Sequence, residues 1–424
     1  MVINHPEEAI SASMNNVGGF AAMGVFIEHS PSRQNWKHAL AYYPGVLLFV
    51  VAISTAGWSP ATPVQVPEQP GVRAPIGTAA ADAPRSLAGP TGNSENSGHP
   101  LMKAEAIVRA ALDFSNCLAR LWPQAEQANV TQDTFERAIA SLTPDLQLLE
   151  TLDNQPEFNT PIGRYLDHLV TQARIDRGRD LLARFQKTFD EISRRFGVDR
   201  FVVAAIWGIE TNYGAERGHW SVLRSTATLA CIGRRQHYFQ REFIAALNIM
   251  QEEDITAERL TGSWSGAFGQ VQMMPTEFRT FAIDFDGDGR RDIIDSVPDA
   301  LASTAQYLKL HGWESERSWG HEVRLADGFD PQKFGRSRTM VLSEWASHGV
   351  RAATDNLPQD DWPASLLLPA GVQGPAFLVS NNYRVILRYN PAGAYALAVL
   401  LLSDRLRGAA PLEHAWPQNN TRAH

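Results

Sequence analysis

Cysteine is nearly missing from this sequence: Cys117 and Cys231 are the only two in 424 residues. With no CxxC and no Cys/His cluster, a zinc site of ordinary spacing is excluded. The two thiols leave two readings open, one disulfide in an oxidising compartment or two buried thiols. The histidines fall at no metal-ligand or triad spacing. Basic excess is missing too. The formal net charge is −8 and no basic run emerges, which argues against a protein that holds nucleic acid by its phosphates. No internal repeat is visible. What remains, 44% hydrophobic and 20% charged residues, is the composition of a globular protein with room for a large core.

The N-terminal apolar stretch, Ala39–Trp58, has an uninterrupted core of only Val46–Ile53, short for a membrane span, and Pro44-Gly45 breaks its entry. Arg33 and Lys37 precede it and small residues follow, the layout of a secretory signal. The long leader suggests a start at Met14 or Met23, and an uncleaved N-terminal membrane anchor is the rival reading. No cysteine follows the apolar core, which argues against lipid attachment there. The expected organisation is a signal or anchor over 1–61, a Pro/Ala/Gly-rich linker over 62–100, a folded domain over 101–408 and a disordered tail over 409–424.

The folded part reads as mainly α (α+β). Helical patterns cover Ala104–Trp122, Thr131–Ser141 and a long segment near Gly163–Phe196, with Leu148–Pro161 as an extended connection. The sharpest stretch is Phe201–Gly214. Gly197 can end the preceding helix and Asp199 can cap this one. Val203, Ile206 and Glu210 then share one buried stripe. A carboxylate there is costly unless paired or protonated, and desolvation would raise its pKa, as an acid catalyst near neutral pH requires. Glu210 is the catalytic candidate, against the plainer reading of a structural ion pair.

Ser225–Cys231, Tyr238–Glu252, Pro298–Leu310 and Tyr395–Leu406 also read as helices, with short strands at Glu322–Leu325, Thr339–Leu342 and Ala376–Val379. Gly262–Thr276 is rich in small residues yet carries Trp264, Gln270 and Gln272, so backbone can approach a ligand while amides read it. Asp284–Asp295 places acids at positions one, three, five, nine and twelve of a loop with Gly289 at six, the spacing of an EF-hand calcium loop, with Asp295 in place of the usual Glu.

Four stretches in this order, Ile206–Gly214, Gly262–Gln272, Asp284–Asp295 and Arg388–Pro391, resemble the membrane-bound lytic murein transglycosylase B family across roughly 101–408. The resemblance implies a lysozyme-like helical core with an EF-hand-like calcium loop and small β elements toward the C-terminus. It implies cleavage of the β-1,4 bond between N-acetylmuramic acid and N-acetylglucosamine in peptidoglycan glycan strands, leaving 1,6-anhydromuramic ends, in the periplasm and with no organic cofactor. Glu210 takes the position of the sole acid/base. Ser263 and Gln272 stand at polar contacts, and Tyr389, Asn390 and Tyr395 at the C-terminal closure of the site. Beside the motifs, Tyr213, Trp220, Trp264 and Tyr389 are candidates to stack on sugar faces, against the plainer reading of core aromatics. Asp284, Asp286, Asp288, the carbonyl of Arg290, and Asp295 match calcium ligands. Met273 replaces a common phenylalanine, and the chain carries no appended peptidoglycan-binding module. A muramidase that uses water, or a non-catalytic wall-binding protein, are the rival functions.

Overall fold

Asp199 starts the helix on which the rest of the chain is packed. In the computed structural model, which describes residues 99–153, 160–334, 338–354, 357 and 361–417, its side chain accepts the Phe201 amide at 2.9 Å and opens the helix Arg200–Thr211, here the central helix. Gly197, at φ 67°, closes the preceding helix Gln186–Phe196 in the left-handed conformation that glycine adopts without strain. Every residue from Val202 to Thr211 is buried, because the sequence is apolar on all faces and neighbours cover it all round. Those neighbours include the helices Gln172–Arg184, Gln186–Phe196, Val297–Leu310 and a C-terminal helix, Gly393–Arg407.

The helices Val222–Cys231 and Gln236–Gln251 form a second packed pair, and an N-terminal cap of short helices over 104–139 rests against them. Cys117 and Cys231 are joined, with Cα atoms 5.9 Å apart, which decides between the two readings of the thiols. Among the described residues no single helix is long and apolar enough to cross a membrane. The expected signal or anchor, and the linker up to residue 98, lie outside the described residues.

Strands are confined to two places. β1 (Trp220–Ser221) and β2 (Thr261–Gly262) form a short antiparallel ribbon at the entry of the Gly262–Thr276 loop. β3 (Gly320–Leu325), β4 (Thr339–Val341), β5 (Val350–Ala352), β6 (Pro363–Leu367), β7 (Pro369–Val372) and β8 (Ala376–Val379) follow. Five of them make an antiparallel sheet in the order β4-β6-β8-β3-β5. This sheet has its own small core, with Val323, Met340, Trp345, Trp362 and Leu378 buried together.

Three expectations need correction. The segment 163–196 is not continuous but three helices, Ile162–Leu169, Gln172–Arg184 and Gln186–Phe196. Thr171 caps the second, accepting the Arg174 amide, and Phe185 leaves helical geometry between the last two. Leu148–Pro161 is not wholly extended: Gln147–Asp153 is a helix started by Asp145, and its own Leu148 and Leu149 are buried. The described part of the tail, 409–417, is held by contacts to the rest of the fold. Leu412 and Trp416 pack on the core, and Glu322 accepts the amides of Glu413 and His414.

Candidate functional site

The central helix ends in a sharp reversal. Asn212, Tyr213 and Gly214 take φ values of 48°, 57° and 79°, and Thr211 Oγ1 accepts the Gly214 amide at 2.9 Å. One residue before Thr211, Glu210 is 1% exposed. Tyr395, in the first turn of the C-terminal helix, donates its hydroxyl to Glu210 Oε1 at 2.7 Å. A buried carboxylate is tolerable only with such a partner. Glu210 and Tyr395, two of the candidate residues, are therefore brought into direct contact.

The loop 262–274 is held against this end of the helix mainly through its Gln270 and Val271 oxygens. Thr211 Oγ1 donates to the Gln270 carbonyl, and the Trp207 indole N–H donates to Gln270 Oε1 at 3.1 Å. From the C-terminal side Tyr389 donates to the Val271 carbonyl at 2.7 Å. From the acidic loop side the Gln270 amide donates to the Ile293 carbonyl at 2.8 Å. Gly269, at φ 78°, passes so close to Ile293 that a Cβ would sit 2.7 Å from its side chain. Three separated parts of the sequence thus meet on Gln270–Val271.

The other candidates are placed as follows. Ser263 shapes the loop itself: its hydroxyl accepts the Ala267 amide and lies 3.1 Å from the Ser265 hydroxyl. Gln272, at φ 51°, donates to the carbonyls of Arg217 and Gly269. Asn390 accepts the Ala392 amide, and its buried Nδ2 has no protein partner. Tyr213 is a correction. It is buried beside Trp207 with its hydroxyl donated to the Arg174 carbonyl, and burial pushes that hydroxyl's pKa up, so it packs the helix end and offers no stacking face. Trp264 is likewise buried, whereas Trp220 is half-exposed and stacked with His219.

The acidic loop differs from its expected ligand set. Carboxylate oxygens of Asp284, Asp286 and Asp299 come within 4.8 Å of one another. Asp295 is instead engaged by Arg217 and Arg259, and Asp288 faces the amide and guanidinium of Arg290. Asp299 was missed because it lies outside the twelve-residue spacing, in the first turn of the helix Val297–Leu310. It is fully buried, and accepts the amides of Phe285, Asp286 and Asp292. Burial pushes its carboxyl up despite those bonds. Gln270 and Trp207 were also undervalued, since their pairing across 63 positions has no local signal.

Residues 113–404 match the family described as the transglycosylase SLT domain. The chain belongs to that family. Its relatives in the transglycosylase family include the membrane-bound lytic murein transglycosylase B of Escherichia coli K12, 30% identical over 269 residues, 61% of this chain and 73% of that one. The crystal structure of SltB3 from Pseudomonas aeruginosa, in complex with NAG-NAM-pentapeptide, is 43% identical. It covers 73% of this chain and 84% of that one with a TM-score of 0.70. The Escherichia coli lytic transglycosylase Slt35, in complex with calcium, shares the fold at 24% identity and a TM-score of 0.59, over 75% of this chain and 95% of that one. The mainly helical, lysozyme-like architecture expected from the sequence is the one the family has.

Proposed function

We propose that this chain cleaves the β-1,4 bond between N-acetylmuramic acid and N-acetylglucosamine in peptidoglycan, with Glu210 as acid and then base, leaving 1,6-anhydromuramic ends. The observation that carries this reading is the Tyr395–Glu210 hydrogen bond, which holds the one carboxylate of the central helix, buried near its end. A retaining hydrolase would need a second carboxylate about 5–5.5 Å away as nucleophile. Acids on neighbouring segments are engaged elsewhere: Glu216 accepts from the Asn212 side-chain Nδ2, and Glu242 accepts from the backbone amide and hydroxyl of Thr276.

In this mechanism the substrate's acetamido oxygen attacks the anomeric carbon while Glu210 gives its proton to the leaving oxygen. Glu210, now ionised, takes the proton of the muramic C6 hydroxyl, and that oxygen displaces the acetamido group to close the anhydro ring. Tyr395 fixes the rotation of the carboxylate through both steps. Tyr389 and the Gln270 network hold the loop that carries Ser263 and Gln272, and the unpartnered Asn390 amide nitrogen suits a ligand acceptor. Tyr213 supports the helix end and is not assigned to the sugar.

Asp284, Asp286 and Asp299 fit a hard cation such as calcium, since their oxygens converge without an arginine between them. Bound there, calcium would order the loop whose Ile293 carbonyl anchors Gln270. Asp288, the Arg290 carbonyl and Asp295 would join only after rearrangement. The Cys117–Cys231 disulfide supports an oxidising envelope compartment, and we assign the periplasm.

The test is digestion of purified sacculi by the full chain, with Glu210→Gln as control, and mass spectrometry of the released muropeptides. Products lighter than hydrolytic ones by one water, with no reducible end, are expected. Reducing ends would move the protein to the muramidases, and no release from folded protein would favour wall binding alone.

A further inference from the structure

A cavity of about 560 Å³ opens at the other end of the central helix. Its wall comes from the start of that helix, from the connection 313–319 leading into β3, and from the last turns of the C-terminal helix. None of the residues around Glu210 lines it. Arg200 and Glu210 are ten positions apart on one helix, so the two places are separated by about 15 Å along its axis.

The chemistry of this wall is specific. Trp319 donates its indole N–H to Asp404 Oδ2 at 2.9 Å and so fixes that carboxylate at the cavity. Arg407 is ion-paired with Asp199 and lies 4.6 Å from the centre of the Phe201 ring. Trp313 is half-buried, and Ser193 contributes a hydroxyl that is buried with no hydrogen-bond partner. Three acids and three arginines line the space in balance, so neither a polyanion nor a polycation is favoured. A neutral ligand with apolar ring faces, hydroxyls and amides fits such a mixture of indole, carboxylate, guanidinium and hydroxyl.

We propose that this cavity is a second glycan site, holding an N-acetylated sugar outside the catalytic centre, with Trp313 against the ring and Asp404 and Arg317 on its hydroxyls. The proposal rests on the reading of the chain as a peptidoglycan enzyme. It gives the catalytic body its own hold on the polymer. Engagement at one site raises the effective concentration of strand at the other, so the benefit appears on sacculi and not on short fragments.

The experiment is calorimetric titration of the full-length Glu210→Gln protein with the tetrasaccharide of N-acetylglucosamine, repeated with Trp313→Ala or Asp404→Asn added. Two sites are expected, one of them lost with Trp313→Ala and weakened about 10-fold with Asp404→Asn. In the active protein the same changes should leave kcat on short glycans unchanged and raise KM on sacculi about 3- to 10-fold. Asparagine can still accept the Trp319 indole, so Asp404→Asn decides the matter if Trp313→Ala melts early. A single site, or a second site untouched by both changes, overturns the proposal, as does a cavity that takes the isolated stem peptide instead. If sacculi are not cut but two sites remain, the lytic reading falls and the glycan site stands.

Discussion

Tyr395 and Glu210 lie 185 positions apart and meet at 2.7 Å, while Asp199 and Arg407 are ion-paired at the opposite ends of the same two helices. The central and C-terminal helices are therefore antiparallel and tied at both ends of a span of about 16 Å. In the proposed mechanism the first tie positions the acid/base, and the second keeps the helices in register. Sliding one helix by a single turn would break both.

Glu210→Gln should lower turnover by about 10²- to 10⁴-fold, the range for loss of a general acid/base, with the far-ultraviolet spectrum and melting temperature close to those of the parent. Tyr395→Phe removes one hydrogen bond to a carboxylate, an effect of about 1.5–3 kcal/mol, or roughly 10- to 100-fold in kcat with KM little changed. Steady-state rates on a soluble glycan check both. A Tyr395→Phe protein with parental kcat would show that the hydroxyl does not position the carboxylate.

The Cys117–Cys231 disulfide spans a sequence separation of 114 and ties the N-terminal cap to the helix pair behind the loop. A cross-link over about 100 residues removes up to about 4.7 kcal/mol of unfolded-state entropy. Reduction should lower the melting temperature by roughly 10 °C for a body of this size. Scanning calorimetry with and without a phosphine reductant measures this, with a Cys117→Ala/Cys231→Ala protein as control. That double variant should melt at the reduced temperature and ignore the reductant.

Much of the centre was legible because its signals are local. Asp199 and Gly197 mark the helix boundary within a few residues, and an acid on an apolar stripe marks itself as exceptional. Gln270 was not legible to the same degree. Its importance comes from Trp207, Thr211 and Ile293, and nothing in a linear pattern announces that they converge. Asp299 escaped for a similar reason, since the carboxylate completing the acidic trio comes from the following helix and not from the loop. Tyr213 sat inside the motif and looked like a ligand platform, but Gly178 and Gly208 leave room for its ring in the core. The placing of residues 409–417 rests partly on Trp416 covering Gly163, two residues far apart in the sequence.

Calcium at Asp284, Asp286 and Asp299 should raise stability by about 2.7 kcal/mol when the free ion is at 100 times its dissociation constant. Excess chelator should remove that increment, seen as a lower melting temperature. In an Asp284→Asn/Asp286→Asn protein the chelator should have no further effect. Asp299→Asn behaves differently: it weakens acceptance of three backbone amides and lowers the melting temperature even with chelator present. Identical melting curves for the parent with calcium and with chelator would remove the cation from the account.

Glu242 gives a pH dependence whose sign can be worked out. It is 2% exposed, and burial pushes its carboxyl up from 4.5 to about 7, against the opposing amide and hydroxyl of Thr276. Between those two values the folded chain holds a proton that the unfolded chain has released. Stability contributed by this group is therefore fully present below about pH 4.5, and it declines as pH rises through 7. The total change is on the order of 3 kcal/mol. Glu242→Gln cannot titrate, and its amide oxygen can still accept from Thr276, so any cost of the new NH₂ is the same at every pH. Relative to the parent, this variant should gain on the order of 2–3 kcal/mol between pH 5 and pH 8. Urea unfolding of both proteins at the two pH values measures the difference directly. A parent–variant gap that stays constant from pH 5 to pH 8 would mean that Glu242 is already ionised in the fold, with Thr276 outweighing its burial.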